Sequence, residues 1–148
     1  TQTKDKVALG DGIPIDWHIY NSTVTQTWEE GWSITQTLIQ EINGFCEDNG
    51  VEFGVVIFPS IEEISLDHQR TLRRQHPTLS NWTFDLEDRS LKMLQEAGLS
   101  ALEVHSLYPT FKSHALRTTL HYPQDHHWTP EGHALASQSI NDWLNSRY

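Results

Sequence analysis

The stretch VEFGVVIFPS, residues 51–60, decides the fold class of this 148-residue chain. Residues 55–58 are an unbroken apolar run of β-branched and aromatic side chains, which is typical of a strand covered on both faces in a parallel sheet. Pro59 ends the run, and Ser60 can cap a following helix. We therefore predict that residues 51–58 form a central strand, parallel to its neighbours.

Helical patterns lie on both sides of this strand. Apolar residues recur three or four positions apart from Trp28 to Cys46, and Asn49-Gly50 stops the helix that they predict. A second helical pattern covers residues 85–97, and ALEVHSL (101–107) predicts a weaker strand. A last helix begins at Thr129-Pro130-Glu131, which supplies a capping hydroxyl, a proline at the first helical position and an acid near the positive end of the helix dipole.

The order helix, strand, helix, strand, helix predicts an α/β fold with parallel strands and right-handed crossovers. We expect a three-layer α/β/α arrangement with a mainly parallel, flavodoxin-like sheet, which is incomplete in this chain because only two strands are visible. Residues 1–148 are then a single α/β domain or a fragment of one. Residues 1–27 are expected to be an irregular N-terminal segment with a turn at Gly10-Asp11-Gly12, and residues 28–148 form the folded portion.

The composition narrows the possible partners. A net charge of −10 argues against a nucleic-acid partner, because phosphate binding requires a basic surface. We expect no membrane insertion, since no apolar run approaches the roughly 20 residues that span a bilayer. The single Cys46 excludes an internal disulfide, and the first ten residues lack the apolar core of a signal peptide. The residues themselves do not indicate a compartment.

The stretch HYPQDHHWTPEGH, residues 121–133, carries the candidate chemistry. It precedes the last helix, and functional groups in open α/β sheets gather where strands end and helices begin. Asp125 and His127 are the pair of interest. A histidine that acts as a general base needs a carboxylate at one ring nitrogen, so that the other nitrogen can take a proton from a nucleophile. Trp128 is expected to pack under the loop and hold His127 in place.

The histidines also allow a metal site. His121, His126 and His133 could join Asp125 around a zinc ion, because imidazole and carboxylate suit that metal. A metal-dependent hydrolase would use Asp125, His127 and His133. These spacings match no recognised zinc signature, so we expect neither a metal ligand nor a cofactor in this loop.

One block resembles a known family. DHHWTPEGHALASQSINDWL, residues 125–144, is similar to the closing block of SGNH-type (GDSL-like) esterases and acyl hydrolases. In that block an aspartate precedes the histidine closely, and the histidine lies five residues before a glycine, as His127 lies before Gly132. The D-x-H-W form of residues 125–128 is closer to the alginate O-acetyltransferase-like branch. Residues 28–60 resemble a helix and inner strand of the same proteins.

The resemblance implies a Ser-His-Asp triad in which Asp125 orients His127, with Trp128, Thr129 and Gly132 in support. The family's nucleophile is a serine in a Gly-Asp-Ser turn, whereas Gly10-Asp11-Gly12 has glycine at the serine position and is interpreted as an ordinary turn. In some acetyltransferase-like members the serine follows the Asp-His block, but this chain ends too soon for that order.

Ser60 follows a strand, and a capping hydroxyl is favoured there over a nucleophile. The simplest interpretation is the C-terminal portion of an SGNH-like protein, with the segment that holds the nucleophile absent from this chain. The missing N-terminal part of the same protein is then a partner, and the chain alone is predicted to be inactive.

Two functions remain open besides the metal-dependent one. The first is an ester hydrolase or O-acyltransferase that acts on a small-molecule or carbohydrate ester, and the carbohydrate rests on family analogy alone. The second is a non-catalytic SGNH-like module that binds glycan or protein. The family analogy would place either of them in the periplasm or outside the cell.

Overall fold

The structure is a computed structural model that describes residues 12–21, 23, 25–116 and 118–147. Its class is a helix-rich α/β fold. The elements in chain order are a 3₁₀ helix at Ile15–Tyr20, α1 (Gln26–Asp48), β1 (Val55–Ile57), α2 (Ile61–Ile64), α3 (Leu66–Gln75), a 3₁₀ helix at Pro77–Asn81, α4 (Glu87–Glu96), β2 (Val104–Ser106), α5 (Tyr108–His114) and α6 (Pro130–Ser146). Of the predicted turn at Gly10-Asp11-Gly12, only Gly12 lies within the described residues.

The sheet is smaller than the sequence predicted. β1 pairs with β2 in parallel, in the register Val55 with Val104 and Ile57 with Ser106, so the predicted parallel pairing is confirmed. β1 is only three residues long, and it has one partner strand in the described part of the chain. The ends of the predicted strand, Val51 and Phe58, are each 57% exposed, because no second neighbour covers them.

The long helix α1 has one apolar stripe packed inside and one exposed. It ends at Asp48 with Asn49 as its C-cap and Gly50 in the left-handed region, as expected. Its inner face packs Trp32 and Ile39 against α4 and the strands. The second apolar stripe lies in solvent and consists of Ile34, Leu38, Ile42 and Phe45. No helix of the described residues, α1 included, combines the length and apolar character of a bilayer-crossing segment.

The N-terminal segment is more ordered than predicted where it is described. The 3₁₀ helix at Ile15–Tyr20 follows the buried Ile13, and Tyr20 is itself 8% exposed. Both side chains belong to an apolar cluster with Leu72, Leu79 and Phe84. This segment therefore covers α3 and the chain that leads into α4.

Glu63 holds three separate segments together. The carboxylate is 8% exposed, and its Oε2 accepts a hydrogen bond of 2.8 Å from the backbone N–H of Ser60 at the start of α2. Its Oε1 accepts from the backbone N–H of Leu86, at 2.9 Å, and from the Tyr108 hydroxyl, at 2.7 Å. A buried charge is stable only when its lone pairs are occupied in this way. Glu63 therefore fixes α2, the start of α4 and the start of α5 relative to one another.

The substitution Glu63→Gln should lower the free energy of unfolding by about 1–3 kcal/mol, the usual cost of a buried hydrogen-bonding group that loses its partner. An amide offers one oxygen, so its NH₂ group must face at least one of the three donors. Glu96→Gln is the matched control, because Glu96 is half-exposed and its ion pair among the described residues is with the exposed Lys92 at 3.7 Å. Urea unfolding of both variants measures the difference, and equal midpoints would contradict the role given to Glu63.

The first turn of α6 lies directly on another backbone segment. An ideal Cβ on Gly132 would be 2.4 Å from the Leu120 carbonyl oxygen and 3.2 Å from Cβ of Trp128. The nearest atom belongs to the backbone, which cannot rotate away as a side chain can. Only glycine permits this approach, and it brings the helix start against the chain that enters residues 121–128.

We expect Gly132→Ala to lower the free energy of unfolding by about 1–3 kcal/mol through overpacking. Gly44→Ala is the matched control, since Gly44 lies within α1 and an added Cβ there meets no atom within 4 Å. That control should raise stability by roughly 0.5–1 kcal/mol, because alanine is the better helix former. Thermal unfolding measures the change in stability of each variant. A Gly132→Ala variant that is more stable than the unchanged chain would show that the contact between Gly132 and Leu120 is loose.

Candidate functional site

Residues 121–128, named the histidine loop, form a closed hairpin-like turn. Its ends, His121 and Trp128, pair as an isolated antiparallel bridge. The backbone N–H of Tyr122 donates to the carbonyl of His127 at 2.8 Å, and the N–H of His126 donates back to Tyr122 at 2.9 Å. Backbone hydrogen bonds thus give the loop a defined shape although most of its side chains are exposed.

Thr129 joins the loop to α6. Its backbone N–H donates to the carbonyl of Leu120 at 3.0 Å. Its hydroxyl donates to the Thr119 carbonyl at 2.8 Å and accepts from the N–H of Gly132 at 3.2 Å. The predicted N-cap at Thr129 is confirmed, and the same hydroxyl also holds the strand-like segment before the loop.

Trp128 lies between the loop and the core beneath it. Its ring centroid is 5.3 Å from that of the fully buried Phe111 and 5.1 Å from that of Phe58. The centroid of the His133 ring lies 5.3 Å away on the same indole. Trp128 therefore packs on the core beneath the loop, while its expected role in holding His127 in place stays a prediction.

Asp125 and His127 contact each other. Asp125 Oδ2 lies 3.4 Å from His127 Nδ1, and Oδ1 accepts a hydrogen bond of 3.1 Å from the backbone N–H of His127. That backbone hydrogen bond is the main reason why the pKa of Asp125 lies below its usual range, and the His127 ring adds to it. The carboxylate is thus ionised beside one ring nitrogen at neutral pH. The pairing follows the predicted spacing, while the catalytic roles stay a prediction.

The two adjacent histidines have different partners. His127 is 82% exposed beside Asp125, whereas Nδ1 of His126 lies 3.3 Å from Oε1 of the buried Glu62. His126 has φ 64°, the only positive φ of a non-glycine residue in the described part of the chain. This left-handed backbone, which is costly for a side chain with a Cβ, turns the chain so that consecutive rings diverge.

A shallow depression borders the exposed face of the loop. It is lined by Phe58, His126, His127, Trp128 and His133. The two aromatic rings give it an apolar wall, and the exposed imidazole of His127 stands beside that wall. A small acyl group in the depression would therefore lie next to a proton acceptor.

Ser60 is placed as a cap. It is the N-cap residue of α2, and its hydroxyl lies 2.9 Å from that of Tyr20. Burial is the main cause that raises the pKa of Tyr20, and nearby Glu63 adds to it, so Tyr20 is neutral and can donate. Among the described residues Ser60 forms no hydrogen bond with a histidine, which agrees with the favoured interpretation as a capping hydroxyl.

The group of potential metal ligands in the structure differs from the groups that the sequence suggested. Within the described residues, Glu62, His68 and His126 converge, with their ligand atoms all within 4.8 Å of one another. Asp125, His127 and His133 form no such group there. Glu62 and His68 precede the histidine loop by a long stretch of chain and have no signature spacing, so no signal in the sequence pointed to them.

Comparison with known proteins assigns the family. No curated protein and no solved structure matches the chain. A family described as "SGNH hydrolase-like domain, acetyltransferase AlgX" matches residues 16–147, which is nearly the whole chain. The match confirms the resemblance drawn from the D-x-H-W block. This chain therefore belongs to the SGNH hydrolase-like domain family of the acetyltransferase AlgX.

Proposed function

We propose that this chain supplies the acid–base pair of an ester hydrolase or O-acyltransferase, with Asp125 as the orienting carboxylate and His127 as the general base. The observation that carries the proposal is the contact of 3.4 Å between Asp125 Oδ2 and His127 Nδ1, immediately before α6 in a member of an SGNH hydrolase-like family. The carboxylate selects the tautomer in which Nδ1 is protonated and Nε2 is free to accept a proton.

In each half of the proposed reaction, Nε2 of His127 takes one proton and gives it back. A serine hydroxyl attacks the ester carbonyl while Nε2 takes its proton, and Asp125 stabilises the imidazolium that forms. The imidazolium then protonates the departing alkoxide, which leaves an acyl-serine. Water or an alcohol attacks that ester in the second half while its proton passes to the same nitrogen, and the imidazolium returns that proton to the departing serine oxygen. Water gives hydrolysis, and a sugar hydroxyl gives acyl transfer.

The surroundings of His127 support a short acyl group. The depression beside it is shallow and has an aromatic wall formed by Phe58 and Trp128. The family's description as an acetyltransferase favours acetyl as that group. A carbohydrate ester is the substrate that we propose on this family basis.

The serine in this proposal lies outside residues 1–148. Ser60 is engaged with Tyr20, and the sequence Gly10-Asp11-Gly12 has glycine where the family has its serine. We also propose that further strands complete a three-layer sandwich around β1 and β2. The exposed stripe of Ile34, Leu38, Ile42 and Phe45 on α1 supports an additional layer, because so much apolar surface is seldom left in water.

A non-catalytic binding module is the second candidate. It is favoured by the exposure of the pair, 82% for the His127 side chain and 58% for Asp125, since a working triad is usually shielded from water. In that case the depression with Phe58 and Trp128 would bind a glycan without turnover. Esterase activity that depends on His127 would support the enzyme, and its absence from the unchanged protein would support the binding module.

In the full-length gene product, His127→Ala should lower kcat/KM for 4-nitrophenyl acetate by about 10²–10⁴-fold, the usual contribution of a general base. Asp125→Asn should lower it less, because Nε2 remains in place. His114→Ala is the control, as that ring lies on α5 and contacts Thr110 and Ser113. No activity in the parent protein favours the binding module, whereas activity that survives His127→Ala unchanged would contradict the role of His127 as general base.

The 148-residue chain by itself should show no saturable esterase turnover. An acid–base pair without its nucleophile retains little of the catalytic effect, because the groups of a triad act as a unit. Stopped-flow assays that follow 4-nitrophenolate release measure this for the chain and for Ser60→Ala. Saturable turnover that disappears in Ser60→Ala would instead identify Ser60 as the nucleophile.

A further inference from the structure

Behind the histidine loop, on the side away from the Asp125–His127 pair, a buried carboxylate faces two imidazole rings. Glu62 is 5% exposed, and its Oε1 lies 3.3 Å from His126 Nδ1 and 3.6 Å from His68 Nε2. The two rings stand edge to face with centroids 5.1 Å apart. Three ligand atoms of the kinds that bind transition metals therefore lie within 4.8 Å of one another.

The two distances from the Glu62 carboxylate agree with a single tetrahedral ion, and the two imidazole nitrogens lie within 4.8 Å of each other. Zinc binds nitrogen and carboxylate oxygen at about 2.0–2.1 Å, which places two ligands of one ion about 3.3–3.4 Å apart. The distances of 3.3 Å and 3.6 Å from Glu62 Oε1 lie at or near this value. Two imidazoles and one carboxylate select zinc and its neighbours over magnesium or calcium, which prefer oxygen ligands alone.

The polar groups of this cluster are incompletely satisfied by protein atoms. Nε2 of His68 is buried and has no hydrogen-bond partner among the described residues, because its distance to Glu62 is longer than a hydrogen bond. The Glu62 carboxylate is only 5% exposed and has two imidazole nitrogens within 3.6 Å, so one cation at this place would satisfy all three groups at once.

We propose that Glu62, His68 Nε2 and His126 Nδ1 bind one Zn²⁺ ion. Three protein ligands leave a fourth position for water or a small anion, and the adjoining groove is lined in part by His68, His121 and His126. The ion links the start of α2 and the first turn of α3 to the histidine loop. It stands next to the acid–base pair without including Asp125 or His127, so the site does not depend on the proposed function.

The test is a titration of the EDTA-treated chain with Zn²⁺ in competition with a chromophoric chelator. One equivalent should bind, and His68→Ala should weaken binding at least about 100-fold, since even residues behind metal ligands are worth 10–100-fold. His126→Gly should do the same although glycine suits the left-handed backbone, so the loss cannot come from strain. The matched controls His133→Ala and His114→Ala should bind zinc as the unchanged chain does.

Co²⁺ gives a second readout. Its visible absorption should be intense, as four-coordinate Co²⁺ is, and it should disappear in His68→Ala. Glu62→Gln should also lose zinc binding, and it is used only if circular dichroism shows that it folds. If it does not fold, the two histidine variants test the site by themselves. No stoichiometric binding, or binding that survives in both histidine variants, would overturn the site. Binding lost instead in His133→Ala would assign the ion to the exposed histidines.

Discussion

A buried carboxylate with three donors organises this fold. Glu63 accepts hydrogen bonds from Ser60, Leu86 and Tyr108, which belong to three segments far apart in the chain. The neighbouring Glu62 faces the histidine loop from the same four-residue helix, α2. Glu63 thus bonds to the interior while the adjacent Glu62 contacts the histidine loop. The position of the loop relative to the sheet therefore depends on α2, a helix too short to form by itself.

Two carboxylate–imidazole groups lie side by side and differ in solvation. Asp125 and His127 are exposed, so water screens their attraction and the pair contributes little to stability. Glu62 is buried with His68 and His126, where an unpaired charge would be costly. The same residue types therefore suit different roles. The exposed pair is the one that we propose for proton transfer, whereas the buried group is suited to hold a cation or to fix the loop.

The sequence predicted what depends on neighbours in the chain. The cap at Thr129, the stop at Asn49-Gly50 and a parallel strand within the predicted residues 51–58 follow from short-range chemistry and are present, although the strand spans only Val55–Ile57. The face of α1 that packs inward could not be predicted, because its two apolar stripes look alike in the sequence until their partners are known. The convergence of Glu62 with His126 had no local signal, since it results from the tertiary fold.

The two ends of the histidine loop are held by residues outside it, which makes the loop a suitable place for protein engineering. Gly132 against Leu120, together with the bonds of Thr129, fixes both ends of the loop from outside it. Residues 122–127 therefore form an insertion point whose geometry is set by its ends. Other hexapeptides could be grafted there to present new side chains beside the aromatic rings of Phe58 and Trp128. The fifth residue, at position 126, must tolerate a left-handed backbone, so glycine or asparagine is the natural choice there.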